Sequence, residues 1–248
     1  MSTLNTRSRK KTPAADGAGG VSPVWLVIPA YNEADVIART LLRLPKGIFA
    51  QVVVANNGSS DETASEAEKA GAKVVSTAEK GYGAACLAVL AVAPDDVILV
   101  YLQADGSEDA GETDLLVGPI LRGEADLVIG SRVLGEASKG ALRGHQRFGN
   151  WLATSLLNLF WGQSATDLGP FRAIRAGVLR DLGRRDRNYG WTIEMQVRAA
   201  QRGLRVVEVP VRYGLRLAGE EKVSGNLLGS SRAAVKILWV ILRSALGR

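Results

Sequence analysis

The chain is short of the residues that most often carry covalent or metal chemistry. It has a single cysteine, Cys86, among 248 residues. That excludes an intramolecular disulfide and a thiolate metal cluster. Cys86 lies in the small, apolar run GAACLAVLAVA and reads as a packing residue rather than a nucleophile. The only histidine, His145, excludes a multi-histidine metal site, and no acid and serine can be placed beside it as a hydrolytic triad. No stretch reaches the ~18 uninterrupted apolar residues of a membrane-crossing helix. Residues 1–22 are polar, small and basic, without the apolar segment of a secretory signal, and are expected to form a disordered tail.

What is present is ordinary globular composition, 46% hydrophobic and 23% charged. The balance of 31 basic against 25 acidic residues favours anionic partners such as nucleotide phosphates or anionic lipid heads. No nucleic-acid-binding motif accompanies that charge, so nucleic acid is not an expected partner. With no linker-like segment after residue 22 and no internal repeat, the remainder reads as one domain.

Strand and helix signals alternate through the first half. Short apolar or β-branched runs at 24–30, 51–57, 72–76, 96–102 and 125–132 read as strands. Helical spacing recurs at 32–44, where Val36, Ile37, Leu41 and Leu44 share a face, at 59–71 and at 81–93. Ser59 or Ser60 is the expected cap of the second helix and Gly71 its stop. This alternation predicts a mainly parallel sheet with helices on both faces. Ligands of such sheets bind beyond the carboxyl ends of the strands. Segments 29–33, 56–59, 105–109 and 131–132 should therefore meet on one rim. Beyond Arg132 the pattern changes to a glycine-rich basic stretch, an apolar helix at 150–161, a helix around 190–203 and a strand at 205–213. This half is expected to lie over the rim.

The polar corners carry a resemblance. VIPAYNE, NNGSSDET, GYGAAC, QADGSED, ADLVIGSR, TDLGPFRAIR, GWTIEMQVRA and GLRVVEVPVRYGLRLAGEEKVSG occur in the order seen in family-2 inverting glycosyltransferases. The sequence is most similar to polyprenyl-phosphate sugar synthases, over roughly residues 24–230. The resemblance implies a GT-A fold with a Rossmann-like sheet, a UDP- or GDP-sugar donor, a divalent cation (Mg²⁺ or Mn²⁺), and a polyprenyl or dolichyl phosphate acceptor. It also implies an enzyme at the cytoplasmic face of the membrane. A departing diphosphate needs a cation or basic side chains to neutralise it, and a hard cation takes oxygen ligands.

Transferred by position, the resemblance makes Pro29, Ala30, Tyr31 and Glu33 part of the nucleotide pocket, together with Asn56, Asn57, Gly81 and Ala104. Rim packing is the plainer role of Tyr31. Gly81, Tyr82 and Gly83 would let an anion approach a helix start. Asp105 matches the second acid of the family's Asp-x-Asp and is the expected metal ligand, with Gln103 and Ser107 as further oxygens. Glu108 and Asp109 either assist there or are ordinary helix-start acids. Arg132 would meet the acceptor phosphate, aided by Arg147 and Asn150. Asp167 would either orient the acceptor side or hold Arg172. Glu194 would face the cleft, and Arg212, Arg216 and Lys222 would close over the donor diphosphate. Because a phosphate acceptor is already an anion, no strong general base is required.

Three positions depart from the family pattern, each at the expense of charge complementarity. Gln103 replaces the first acid, Asn56-Asn57 replaces an Asp, and Glu221 replaces a serine beside Lys222. They keep open a second reading, a GT-A homologue that binds nucleotide-sugar or membrane with little catalysis. A sugar-phosphate nucleotidylyltransferase is disfavoured, since its glycine-rich N-terminal signature is missing from 24–33.

The segment 231–248 is an amphipathic helix in which Arg232, Lys236 and Arg243 cluster within about 40° on a wheel of ~100° per residue. It suits either a membrane interface or packing on its own domain or on the partner of a homodimer.

Overall fold

The structure is a computed structural model that describes residues 22–183, 186–218 and 227–247. Seven strands form one sheet in the order β3-β2-β1-β4-β6-β5-β7. The strands are β1 (Val24–Ala30), β2 (Gln51–Asn56), β3 (Lys73–Ser76), β4 (Ile98–Tyr101), β5 (Leu127–Ser131), β6 (Arg172–Arg175) and β7 (Val206–Pro210). β1, β2, β3 and β4 are mutually parallel, as expected. Ala30 sits opposite Asn56, and Asn56 opposite Ser76, so three strand ends finish level on one rim.

β6 was not expected as a strand. It runs antiparallel between β4 and β5 and makes the sheet mixed. Its four residues RAIR carry arginine at both ends, which conceals a strand from hydropathy. Yet Arg172 is fully buried. Its guanidinium donates to the carbonyls of Leu168 at 2.8 Å and Thr192 at 3.0 Å, and also to that of Gly169. Hydrogen bonding of this kind is what makes a buried cation tolerable.

The helices are α1 (Ala34–Leu42), α2 (Thr63–Lys69), α3 (Tyr82–Val92), α4 (Thr113–Leu121), α5 (Gly144–Trp161), α6 (Ala176–Asp181), α7 (Trp191–Gln201) and α8 (Leu227–Ala245). Two core layers lie on opposite faces of the sheet. Leu26 and Ile28 pack with α1, α2 and α4, whereas Val27 between them packs with α3, α6 and α7. This is the period-two alternation of a strand buried on both faces. Helix α5 begins six residues before the apolar run that marks it in the sequence, through 144–149.

Helix α2 is not capped by Ser59 or Ser60. Asp61 takes the Thr63 N–H at 3.1 Å, while the two serines bond across to Asn32. The corner after β1 is thereby stitched to the corner after β2. Helix α8 packs Val240 and Ile241 against Ala153 and Leu157 of α5 and Ile193 and Val197 of α7. Full burial of such side chains is worth about 2 kcal/mol each, so this contact holds α8 on the domain.

Candidate active site

The β4 strand ends at Tyr101, and the chain turns sharply through Gly106, whose φ of +70° favours glycine. The turn gathers three oxygens. Ser107 donates its hydroxyl to Asp105 Oδ1 at 2.6 Å and also lies 3.2 Å from Gln103 Oε1. The Ser107 N–H reaches the same Asp105 oxygen at 3.0 Å. Ala104 accepts from the Thr40 hydroxyl at 2.7 Å, tying the turn to α1.

The segment after β7 is latched onto this turn. Gly214 N–H donates to the Ser107 carbonyl at 2.7 Å and Leu217 N–H to the Asp105 carbonyl at 2.9 Å. Tyr213 donates its hydroxyl to Gln103 Oε1 at 3.3 Å. Arg216 then reaches two carboxylates, Glu33 Oε2 at 3.3 Å and Asp105 Oδ2 at 3.5 Å. Glu33, Gln103, Asp105, Ser107 and Arg216 thus converge, and Glu33 N–H is fixed by Thr63 Oγ1 at 2.8 Å.

Arg132 is joined to this group through Tyr213, over whose ring its guanidinium sits at 5.2 Å. Asp167 holds Arg132 in a two-pronged pair, Oδ2 to Nε at 2.8 Å and Oδ1 to Nη2 at 2.7 Å, and takes the Arg132 backbone N–H at 2.8 Å. Of the two expected roles of Asp167, holding Arg172 is therefore not observed; Arg132 is its ion-pair partner. Burial opposes the guanidinium charge, but the Asp167 hydrogen bonds and charge outweigh it and raise the Arg132 pKa. Among the described residues, Arg132 Nη1 carries no hydrogen bond.

Several expected residues serve the framework. Asn56 Oδ1 accepts from Ser59 N–H at 3.2 Å and its amide nitrogen reaches Ser76 at 3.2 Å; Asn57 Oδ1 accepts from Gly81 N–H at 2.8 Å. The helix start at 81–84 is not open to an anion as expected. The Arg187 carbonyl occupies it, accepting from Ala84 N–H at 2.9 Å, and a Cβ at Gly81 would collide with that oxygen. Close backbone packing is the physical reason for glycine there.

Glu194 gives one oxygen to Arg198 Nε and the other to Asp186 N–H, both at 2.8 Å, a bracing arrangement at the start of α7. Arg212 is paired with Glu112 at 2.8 Å and Asp109 at 2.7 Å, and Asp109 also caps Gly111 N–H. Asp109 is thus a helix-start acid. Tyr31 is on the rim, 6.0 Å beneath the Lys80 ammonium, and Pro29 and Ala30 close β1. Lys222, Glu221 and the side chain of Arg232 lie outside the described residues.

Sequence reasoning missed Tyr213 and Glu208, and it left Glu108 between assisting the metal and a solvated helix start, neither of which is the buried position it takes. Glu108 is buried with Oε2 accepting from Gln103 N–H at 2.7 Å, and Oε1 has no partner among the described residues. Burial, then the nearby Asp105 charge, pushes its pKa up to about 8. Glu208 receives Thr166 N–H at 2.9 Å and Asp167 N–H at 3.3 Å, setting the segment that carries Asp167. The one available signal for Tyr213 was an aromatic residue just past a strand end.

The donor atoms suit a hard divalent cation: one carboxylate, one amide oxygen and one hydroxyl, all on one turn. Among the described residues no three His, Cys, Asp or Glu side chains gather to hold a metal ion. A cation there fits only with further oxygens from a bound diphosphate.

A sequence profile of glycosyl transferase family 2 matches residues 25–183. The chain belongs to that family. An uncharacterized glycosyltransferase of Mycobacterium tuberculosis, Rv0539, is 38% identical over 88% of this chain and 97% of its own length. The undecaprenyl-phosphate mannosyltransferase of Micrococcus luteus is 31% identical over 90% of this chain and 99% of its own. The dolichyl-phosphate hexose transferase of Haloferax volcanii is 31% identical over 83% of this chain and 90% of its own. A solved structure of M. tuberculosis glucosyl-3-phosphoglycerate synthase with Mn²⁺, UDP-glucose and phosphoglyceric acid matches with a TM-score of 0.72. It is 23% identical over 90% of this chain and 80% of that chain, a likeness of fold. The family-2 chain accordingly has the GT-A fold.

Proposed function

We propose that the protein is an inverting hexosyltransferase that moves a sugar from a UDP- or GDP-sugar to a polyprenyl phosphate. The observation that carries this reading is the joining of two charged groups through Tyr213. On one side stand Asp105, Gln103, Ser107, Glu33 and Arg216, suited to a diphosphate and its cation; on the other stands Arg132, held by Asp167. The names of the Micrococcus and Haloferax relatives support the lipid-phosphate acceptor.

In this reading the rim formed by Pro29, Ala30, Tyr31, Asn56, Asn57 and Ala104 surrounds the nucleotide. Asp105, with Gln103 and Ser107, would hold Mg²⁺ or Mn²⁺, which supplies positive charge against the diphosphate. Arg216 and Lys222 add to that neutralisation. Arg132 uses its unbonded Nη1 to orient the acceptor phosphate; Asp167 is a positioning residue. A phosphate oxygen of the acceptor attacks the anomeric carbon. The bond from that carbon to the donor diphosphate breaks, and its electron pair leaves with the nucleoside diphosphate. Displacement from the opposite face inverts the anomeric configuration. No proton has to be removed from an acceptor that is already anionic. The protein would work as a peripheral enzyme at the cytoplasmic face of a membrane; no described helix is long and apolar enough to cross one.

The competing reading, a nucleotide-sugar-binding homologue without turnover, is favoured by one observation: an uncharged Gln103, with Arg216 already against Asp105. Incubating the protein with Mn²⁺, UDP- or GDP-hexoses and polyprenyl phosphate, with 3-phosphoglycerate as a comparison acceptor, separates the two. Lipid-linked sugar of inverted configuration, lost in Asp105→Ala, is the expected result. Donor binding with no product from any pair would overturn the proposal.

A further inference from the structure

Helix α5 presents large apolar side chains to solvent at the end nearest the active site. Phe148 and Trp151 are 61% and 59% exposed, with ring centroids 5.7 Å apart. Leu159 continues the same stripe two turns on, and Val133 and Leu134, adjoining Arg132 in sequence, are also exposed. Isolated exposed apolar residues are commonplace; a stacked aromatic pair on a stripe is a patch.

The charge around this patch has one sign. From residue 137 to residue 166 the sequence holds no Asp or Glu, while Lys139, Arg143, His145 and Arg147 precede or flank the aromatic pair. The three basic side chains at 143–147 sit exposed at the start of α5. There the helix dipole disfavours cations, so the dipole does not account for them. Neighbouring α8 repeats the composition. No acid occurs from 227 to 247, and Trp239 lies 4.9 Å from both Lys236 and Arg243.

A second copy of the chain is a poor occupant for this face. A two-fold contact centred on the aromatic pair would bring Arg143 and Arg147 of one copy toward those of the other. An anionic bilayer offers apolar depth for the rings and negative headgroups for the surrounding cations. The site lies close by. Asn150, one residue before Trp151, donates to the Thr166 carbonyl and accepts from Leu168 N–H, both at 2.9 Å, clamping the residue between them, Asp167, which holds Arg132.

We infer that the first half of α5, with Phe148 and Trp151 as its apolar anchors and Arg143, His145 and Arg147 as its headgroup contacts, docks the protein on an anionic lipid surface. It thereby presents Arg132 to an acceptor phosphate lying in that surface. The inference rests on the lipid-phosphate reading for its purpose, and it assigns the contact to α5, which carries the stacked aromatic pair and, through Asn150, braces the segment that holds Arg132.

The test is sedimentation of the full chain with vesicles, without donor or acceptor. Vesicles of phosphatidylcholine and phosphatidylglycerol in equal parts should bind it, and phosphatidylcholine alone should bind it weakly. Phe148→Ser with Trp151→Ser should weaken partitioning about tenfold or more. Arg143→Gln with Arg147→Gln should remove the preference for the anionic lipid. Trp151→Phe keeps the apolar volume; it should still bind and should lose fluorescence quenching by lipids brominated in their acyl chains. Transfer to a short, water-soluble polyprenyl phosphate should be unchanged in the Phe148/Trp151 double variant. Vesicle binding without transfer to any acceptor would defeat the proposed function and leave the docking face standing. The docking face is overturned if the wild type ignores anionic vesicles, if the α5 variants partition like the wild type, or if sedimentation velocity shows a dimer that the double variant dissociates while vesicle binding persists.

Discussion

The two charged groups of the site are built to different tolerances. Around Arg132 and Asp167 every hydrogen bond of the pair is 2.7–2.8 Å, Asp167 is fully buried, and its backbone is held by Glu208 and Gln196. Around Asp105 the opposing cation is 3.5 Å away on a segment with partial exposure, latched through two backbone bonds and one long hydroxyl contact. Burial makes the first pair expensive to break, because a lone charge would be stranded in a low dielectric. The second can exchange partners at little cost, since water and ions screen what is lost. Under the proposed function, in which one phosphate is oriented and another is repeatedly admitted and released, that asymmetry gives rigidity at Arg132 and exchange at Asp105.

The comparison is broken most forcefully at Asp167. Asp167→Ala strands the Arg132 guanidinium, and urea unfolding should register a loss of about 3–5 kcal/mol, with transfer abolished. Asp167→Asn, which keeps hydrogen bonding without charge, should recover part of the stability. Asp105→Ala should do the reverse, leaving the unfolding midpoint nearly unchanged while lowering the transfer rate roughly 10²–10³-fold, the scale for removing one electrostatic element of a reacting site. If Asp105→Ala unfolds the protein as readily as Asp167→Ala, the distinction between rigid and exchangeable halves is wrong.

Glu108 sharpens the comparison through pH. Its pKa rises from 4.5 unfolded to about 8 folded, so the native state keeps a proton that the unfolded chain has lost. Stability must then fall as pH increases from about 4.5 to about 8. Between pH 6 and 8 the fall from this group is roughly 2 kcal/mol by linkage. Glu108→Gln, measured in EDTA to exclude bound cations, should flatten that slope; an unchanged slope would mean Glu108 ionises normally.

The rigid and exchangeable halves were also unequally legible. The parallel strands and their rim could be read because hydropathy reports burial, and β1, β2 and β4 are buried on both faces. Asp105 and Gln103 stood out because a polar corner interrupts an apolar run. Arg132 as the partner of Asp167 was not legible, since Arg132 and Arg172 differ only in what the fold brings to them. Arg172 is surrounded by carbonyls, Arg132 by a carboxylate. β6 was invisible for the same reason: a strand whose ends are arginines declares itself only through neighbours far away in sequence. Gly81 misled in the opposite sense. A glycine at a helix start carries the same letter whether an anion or a backbone carbonyl approaches it, and here Arg187 does.

Arg216 offers the smallest effect and the finest test of exchange. It stands 3.3 Å from Glu33 and 3.5 Å from Asp105, on the oxygens a cation would need. A cation binding at Asp105 must therefore compete with a resident guanidinium, and with only one carboxylate available it competes weakly. Removing the guanidinium by Arg216→Ala relieves that competition by about 1 kcal/mol, the scale of a partly exposed ion pair. Mn²⁺ affinity without nucleotide, read by electron paramagnetic resonance, should rise about fivefold. With a nucleoside diphosphate present the sign should invert, because Arg216 then serves the diphosphate and its loss weakens the ternary complex. Equal Mn²⁺ binding by wild type and variant in both conditions would mean that Arg216 and the cation never share Asp105, and the exchangeable half would need another explanation.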